Sequence, residues 1–463
     1  MHPKDAMFKP PAIQPPEKTL PLFKRLFTLA DNPIEAWPRA VYEEDFYWAP
    51  SPYGPKLLFV TKPEAIREIL LDRGEDFSKG SIFLRFLKPA LGEAMLTAEG
   101  AHWRWQRQAA APAFRPDTMA KLTPIMSAAA EKMLARWRAA GVGAQVDVAQ
   151  DMVRITFDII LDTMLSGGEG IDIEETSREI SIYLETLGRP SIGDILGLPP
   201  SLKKLMSPRG VRAANYLRSV VQQMVARRRS GPSGRGDLVD LLMQAKDPET
   251  GRAMSDMELR DNLITFIGAG HETTALALTW SLYLLSQDSV TAQRVRAEVQ
   301  SVTGDASITQ AHVETLSFTR QVVLEAMRLF PPVAALPRQA SRDTTILGMP
   351  VPKNTIILMP IYAMHRHSKQ WDRPDVFDPD RFAPDLGLER QRYHYMPFGA
   401  GHRICIGLGF ALNEAVAVLA TLMREVQLDH NPAHKIRPLV RITMRPEGGM
   451  PMRIAALMSR SVD

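Results

Sequence analysis

One cysteine, Cys405, stands in the whole 463-residue chain, within Phe398-Gly399-Ala400-Gly401-His402-Arg403-Ile404-Cys405-Ile406-Gly407. Taken alone, a lone cysteine is most often a buried, inert thiol. Its neighbours point to a different chemistry. Glycines at 399, 401 and 407 let the backbone adopt positive φ and come close to a bulky planar group. The segment from Gly407 to Val426 is helical in pattern, so the sulfur lies near a helix N-terminus, where partial positive charge favours a thiolate. A thiolate held in this way is a soft ligand for a transition metal.

Three further constellations could carry chemistry or support it. Ala269-Gly270-His271-Glu272-Thr273-Thr274 sits at the middle of a long apolar segment running from about Ser255 to Gln287. A carboxylate beside a hydroxyl on a buried helix holds water and passes protons into a site that otherwise excludes solvent. The plainer reading of Thr273 is a hydroxyl bonded back to the Ala269 carbonyl. Trp103 and Arg107, four apart, share one helix face, and an arginine fork matches a carboxylate. By themselves they read as a packing tryptophan beside a solvated arginine. Glu325 and Arg328, three apart, are flanked by Leu324, Met327, Leu329 and Phe330, so this pair is expected to be buried and to need further partners. Arg381, in Pro379-Asp380-Arg381-Phe382, is the natural third member.

Together these stretches resemble the cytochrome P-450 family of haem-thiolate monooxygenases. The match covers Phe-x-x-Gly-x-Arg-x-Cys-x-Gly at 398–407, Ala-Gly-x-(Asp/Glu)-Thr-(Thr/Ser) at 269–274, Glu-x-x-Arg at 325–328 and Trp-x-x-x-Arg at 103–107. The resemblance implies a mainly α fold with small β-sheets, a long central helix over haem b and the cysteine loop on the proximal side. It implies Cys405 as the iron ligand, with Pro397, Phe398 and Ile406 beside it. Trp103, Arg107, Arg338 and Arg403 would hold the propionates, and the small Ala269 and Gly270 would let the flat cofactor lie against the helix. Glu272 and Thr273 would deliver protons. Phe83, Phe86, Phe266, Val333, Ala334 and Leu336 would line an apolar substrate pocket. Glu325, Arg328 and Arg381 would be structural, with Asp380 replacing a more frequent glutamate. His102 competes for the propionate role, but its i+4 neighbour is Gln106, so the Trp103 and Arg107 register is preferred.

The implied reaction inserts one oxygen atom of O2 into a small apolar substrate. The chain has neither a GxGxxG fingerprint nor a ferredoxin-type cysteine set. Electrons from NAD(P)H would therefore arrive through a separate ferredoxin or flavodoxin and its reductase, for which Arg104, Arg392, His402 and Arg403 form a basic surface. A peroxide-driven peroxygenase is the alternative, although such enzymes usually lack the acid–threonine pair. A non-catalytic haem sensor is a more distant one.

The elements that must position these residues follow from the rest of the chain. Residues 1–21 carry six prolines and read as an extended arm; residues 22–463 read as one haem-binding domain. Residues 78–97 read as an apolar, irregular stretch, and Ile192 to Met206 as part of the cap over the substrate chamber. The window 201–235 is basic without an acid. With 45% hydrophobic and 23% charged residues the composition is globular, and a net charge of +4 is too mild to point to nucleic acid. No signal peptide or transmembrane anchor is evident, since the ionisable centre of the 263–285 stretch argues against a span. A cytoplasmic monomer is the expectation.

Overall fold

The computed structural model describes residues 7–50, 55–165, 167, 171–187, 207–231, 236–384 and 392–458. The expected cap segment Ile192 to Met206 lies outside them. Helices dominate, and four small sheets sit at the periphery.

The longest helix, α6 (Asp256–Gln287), begins at a capping box: the Ser255 hydroxyl accepts the Glu258 N–H, and the Glu258 carboxylate accepts the Ser255 N–H. It is buried nearly all round, as its continuous apolar pattern requires. It packs against α3 (Val148–Met164), α5 (Pro208–Ser230), α7 (Ser317–Leu329) and α8 (Leu408–Glu425). Asp147 caps α3 through the N–H groups of Ala149 and Gln150.

The expected irregular stretch at 78–97 is instead largely helical: α1 spans Ser81–Leu91 and ends at Gly92, whose φ is 58°. Its spacing of apolar residues fits a helix, and Gly92 supplies the left-handed stop. After it comes α2 (Gly100–Ala110), which carries Trp103 and Arg107, and later α4 (Ile173–Leu187).

A five-stranded sheet runs β1-β2-β5-β4-β3, formed by Phe46–Ala49, Leu57–Val60, Ile356–Met359, Leu336–Ala340 and Phe77–Ser78 in that spatial order. Its register matters for the site. Ser78 stands opposite Gln339, which brings Lys79 beside Arg338. A hairpin of β6 (Pro438–Val440) and β7 (Met444–Pro446) packs near α6, where the Trp280 indole donates to the Met444 carbonyl.

The proline-rich arm is laid along this core. The Ile13 N–H donates to the Tyr362 hydroxyl, and the Phe377 N–H to the Phe8 carbonyl. The basic 201–235 window is partly neutralised from outside itself: Arg228 pairs with Asp237 and Asp240, and Arg229 with Asp256.

Candidate active site

The cysteine loop is folded by its own backbone. The Cys405 N–H donates to the Phe398 carbonyl at 2.9 Å and the Gly399 N–H to the Met396 carbonyl at 3.0 Å. Gly399 and Gly401 take φ of 70° and 68°, and a side chain at Gly401 would run into the Leu70 carbonyl. Cys405 is exposed as a residue, yet protein surrounds its sulfur closely enough to desolvate it. Burial pushes its thiol up; the Gly407 N–H and the Arg107 charge act in the opposite direction. Helix α8 starts three residues later.

On α6, Ala269 is exposed and Phe266, Gly270 and Thr273 are half-buried, the more open residues there, whereas His271, Glu272, Thr274 and Ala275 are buried. Spacings of three and four place the open residues in one stripe. Phe114 links this stripe to the cysteine loop: its ring stacks on Phe266 with centroids 5.8 Å apart, and its edge lies 3.6 Å from where a Gly407 Cβ would stand. The Thr273 hydroxyl donates to the Ala269 carbonyl at 2.8 Å. Glu272 points away from the stripe, toward Arg445 on β7, at 3.2 Å. Gly270 has a packing reason to be small, since a Cβ there would meet the Ile160 side chain on α3. Ala269 is exposed. His271 is fully buried, and burial pushes its imidazole down.

A cluster of cations flanks the loop. The Arg403 guanidinium stacks over Trp103 at 4.3 Å and donates to the Ala98 carbonyl at 2.8 Å. Arg107 lies 5.9 Å from the same ring. Arg338 donates to the Pro337 carbonyl, and burial with the nearby Arg403 charge pushes its pKa down to about 10. Lys79 is buried, and desolvation plus the charges of Arg403 and Arg338 push it down to about 6. Among the described residues, Glu99 is the carboxylate that acts on Lys79, Arg338 and Arg403. Sequence reasoning missed Lys79. Its only signal is the β3–β4 register, which no motif reports.

His102 is directed elsewhere: its Nε2 lies 3.0 Å from Glu258 and 2.7 Å from the Gln106 amide. That leaves Trp103 and Arg107 as the helix face toward the loop. Arg403 is turned inward, while Arg104, Arg392 and His402 are exposed.

Glu325 and Arg328 are completely buried and joined by two bonds of 2.7 and 2.8 Å. Arg328 also donates to the carbonyls of His365, Pro374 and Val376. Arg381 lies 3.5 Å from Glu325, whose carboxylate also accepts the Asp378 N–H. The residues before the cysteine loop are tied to this network. The Tyr395 hydroxyl donates to the Leu324 carbonyl, and His365 accepts the Met396 N–H. Asp380 lies outside the network, paired through both oxygens with Arg294.

Of the expected pocket residues, Phe83, Phe266, Val333 and Leu336 are half-buried, and Ala334 is buried with its carbonyl accepting the Tyr362 N–H. Leu336 reaches the loop, 3.5 Å from a Cβ placed on Gly399. Phe86 is on α1, but its side chain lies outside the described residues. Pro397 is buried; Phe398 and Ile406 are half-buried. No helix among the described residues is long and apolar enough to cross a membrane.

Known proteins are similar to this chain in sequence and fold. The chain is 32% identical to cyclooctatin synthase of Streptomyces melanosporofaciens, over 83% of each chain. It is 30% identical to cyclooctat-9-en-7-ol 5-monooxygenase of the same organism, over 80% of each. The fold superposes on the crystal structure of the cytochrome P450DA heme domain with a TM-score of 0.82 and 25% identity, covering 96% of this chain and 97% of the other. The family model described as Cytochrome P450 matches residues 15–450. The protein therefore belongs to the cytochrome P450 family of oxidoreductases, whose cofactor is a haem iron bound through a cysteine thiolate.

Proposed function

We propose that the protein hydroxylates a small apolar substrate with one oxygen atom of O2, using electrons from NAD(P)H delivered by a separate ferredoxin or flavodoxin and its reductase. The observation that carries this reading is the exposed Cys405 beside the half-buried Arg107, Arg338 and Arg403 and the buried Lys79, with Glu99 acting on the last three. A single thiolate cannot complete a metal site, so the remaining donors must come with the cofactor; the three arginines, with Lys79 gaining its charge beside an anion, suit its two carboxylates. Cys405 would ligate the iron, with Pro397, Phe398 and Ile406 around it. Trp103, Arg107, Arg338 and Arg403, joined by Lys79, would hold the propionates. Ala269 would leave room on the distal side, with Gly270 serving the α6–α3 contact. Bound haem supplies the activation of O2.

Around it, the chain's own residues control protons and water. Thr273 has its hydroxyl proton engaged by the Ala269 carbonyl, leaving its lone pairs to accept a hydrogen bond from a water held at that face of α6. Glu272, one residue away and paired with Arg445, would be the relay that takes a proton from the Arg445 side and passes it to that water, returning to the carboxylate each time. Phe83, Phe266, Val333 and Leu336 exclude bulk water. Exposed Arg104, Arg392 and His402 suit an acidic electron carrier. An apolar substrate is further supported by the relative named for acting on cyclooctat-9-en-7-ol. Residues 22–463 would act as one domain, with the arm as a strap.

The test is reconstitution with haem, a plant-type ferredoxin, its reductase and NADPH, after screening apolar ligands for a low-to-high-spin shift. A product carrying one atom from isotopically labelled O2 is expected. Turnover with hydrogen peroxide alone, and none with the electron carrier, would assign the peroxygenase reaction instead.

A further inference from the structure

Between the proline-rich arm and the first strand runs the helix Leu22–Asp31, in which no residue is buried. Its apolar residues nevertheless share a face. Leu22, Leu26 and Leu29 fall at spacings of four and three, and Phe23, Phe27 and Ala30 repeat that pattern beside them. Lys24, Thr28 and Asp31 fall on the opposite side by the same count. Such a face ordinarily packs on a core, but here Phe23 is 78% exposed, Phe27 66% and Leu22 40%. Other exposed large apolar residues, such as Val142, Met257 and Leu347, stand far apart in the chain, and single ones need no explanation. A further exposed aromatic borders the helix. The Arg25 guanidinium donates to the Pro50 carbonyl at 2.8 Å, two residues after Trp48, which is 38% exposed.

The charges beside this face are of one sign once the pairs are removed. Lys18 and Lys24 are exposed and have no ion pair among the described residues. The acids at the two ends, Glu17 and Asp31, are already paired with Arg39 and Arg437. Exposed aromatic rings flanked by free lysines on an amphipathic helix match the boundary of an anionic bilayer. The rings reach the acyl layer, and the lysine stems run along it to bring their ammonium groups to lipid phosphates. Ten residues make a helix roughly 15 Å long, which lies on a bilayer and does not cross it.

We infer that the helix Leu22–Asp31 docks the protein on an anionic lipid surface, with Phe23 and Phe27 inserted and Lys18 and Lys24 against the headgroups. The test is flotation of the full-length haem-loaded protein with vesicles of phosphatidylcholine alone, or of equal parts phosphatidylcholine and phosphatidylglycerol. The parent is expected to float with the anionic vesicles, and less with phosphatidylcholine. Phe23→Ser combined with Phe27→Ser should weaken binding at least about tenfold, since two apolar rings no longer enter the acyl layer. Lys24→Glu should weaken it at least about fivefold at low salt, and less at high salt. These side chains are exposed, so the carbon monoxide spectrum and urea unfolding of the variants should match the parent. A parent that stays in solution, or floats equally with both lipids, overturns the inference. So does undiminished flotation of the double phenylalanine variant. Sedimentation velocity without lipid completes the test: a dimer that the double variant loses would assign the face to a second copy of the chain and overturn the lipid assignment.

Discussion

Glu272 and Arg445 form an ion pair at 3.2 Å between the middle of α6 and strand β7, with side chains 11% and 25% exposed. The other carboxylate oxygen of Glu272 and the Nε of Arg445 have no hydrogen-bond partner among the described residues. Each charge therefore depends on the other. Arg445→Met should cost about 1–3 kcal/mol by leaving the carboxylate unpaired. In the Arg445→Met background, Glu272→Gln should cost distinctly less than it does in the parent. A urea-unfolding double-mutant cycle measures this; additivity within about 0.5 kcal/mol would mean the pair is not coupled.

Thr273 is half-buried, and its one hydrogen bond among the described residues is local. Thr273→Ala should therefore leave stability nearly unchanged. On the proposed reading it should divert electrons from product to hydrogen peroxide, with a decline in product per NADPH. An unchanged ratio would remove Thr273 from the proton path.

Arg328 makes two bonds to Glu325 and three to backbone carbonyls, all inside the core. A lysine cannot reproduce that planar fork. Arg328→Lys should destabilise by about 3–5 kcal/mol, because it leaves Glu325 with fewer donors and several carbonyls with none. The damage should reach the cysteine loop through Tyr395 and Met396, so haem retention should fall with stability. A loss under about 1 kcal/mol in urea unfolding would contradict this.

His365 is fully buried; desolvation, reinforced by the nearby Arg328 charge, pushes its imidazole down to about 3. The neutral ring accepts the Met396 N–H at 2.9 Å. An unfolded imidazole titrates near 6.5, so the folded protein has its full share of this stability above that pH. The share is lost as pH falls toward about 3, at roughly 1.4 kcal/mol per pH unit. Unfolding free energy measured between about pH 5 and 7 should show this slope, and His365→Asn should be less steep. Equal slopes would contradict the assignment.

Much of the site was legible because the chemistry of Cys405, Glu272-Thr273 and Glu325–Arg328 depends on residues close together in sequence. A helix turn or a tight loop brings such residues together directly. Arg381 was also legible, since a buried pair demands a third charge. What escaped depended on pairings far apart in the chain. Lys79 joins Arg338 only through the β3–β4 register, and Arg445 reaches Glu272 only through the β6–β7 hairpin. Gly270 was read as room for a cofactor, while the fold gives it a helix-crossing contact with Ile160. The helix at Ser81–Leu91 was missed because its apolar run resembles a pocket wall as much as a helix face.

The central claim is that Cys405 presents a thiolate to haem iron, and the optical spectrum of the reduced protein under carbon monoxide tests it most directly. The parent should give the red-shifted band of thiolate-ligated haem. Cys405→Ser, compared at matched haem content, should lose that band. Its persistence in Cys405→Ser, or its absence from the haem-loaded parent, would contradict the account.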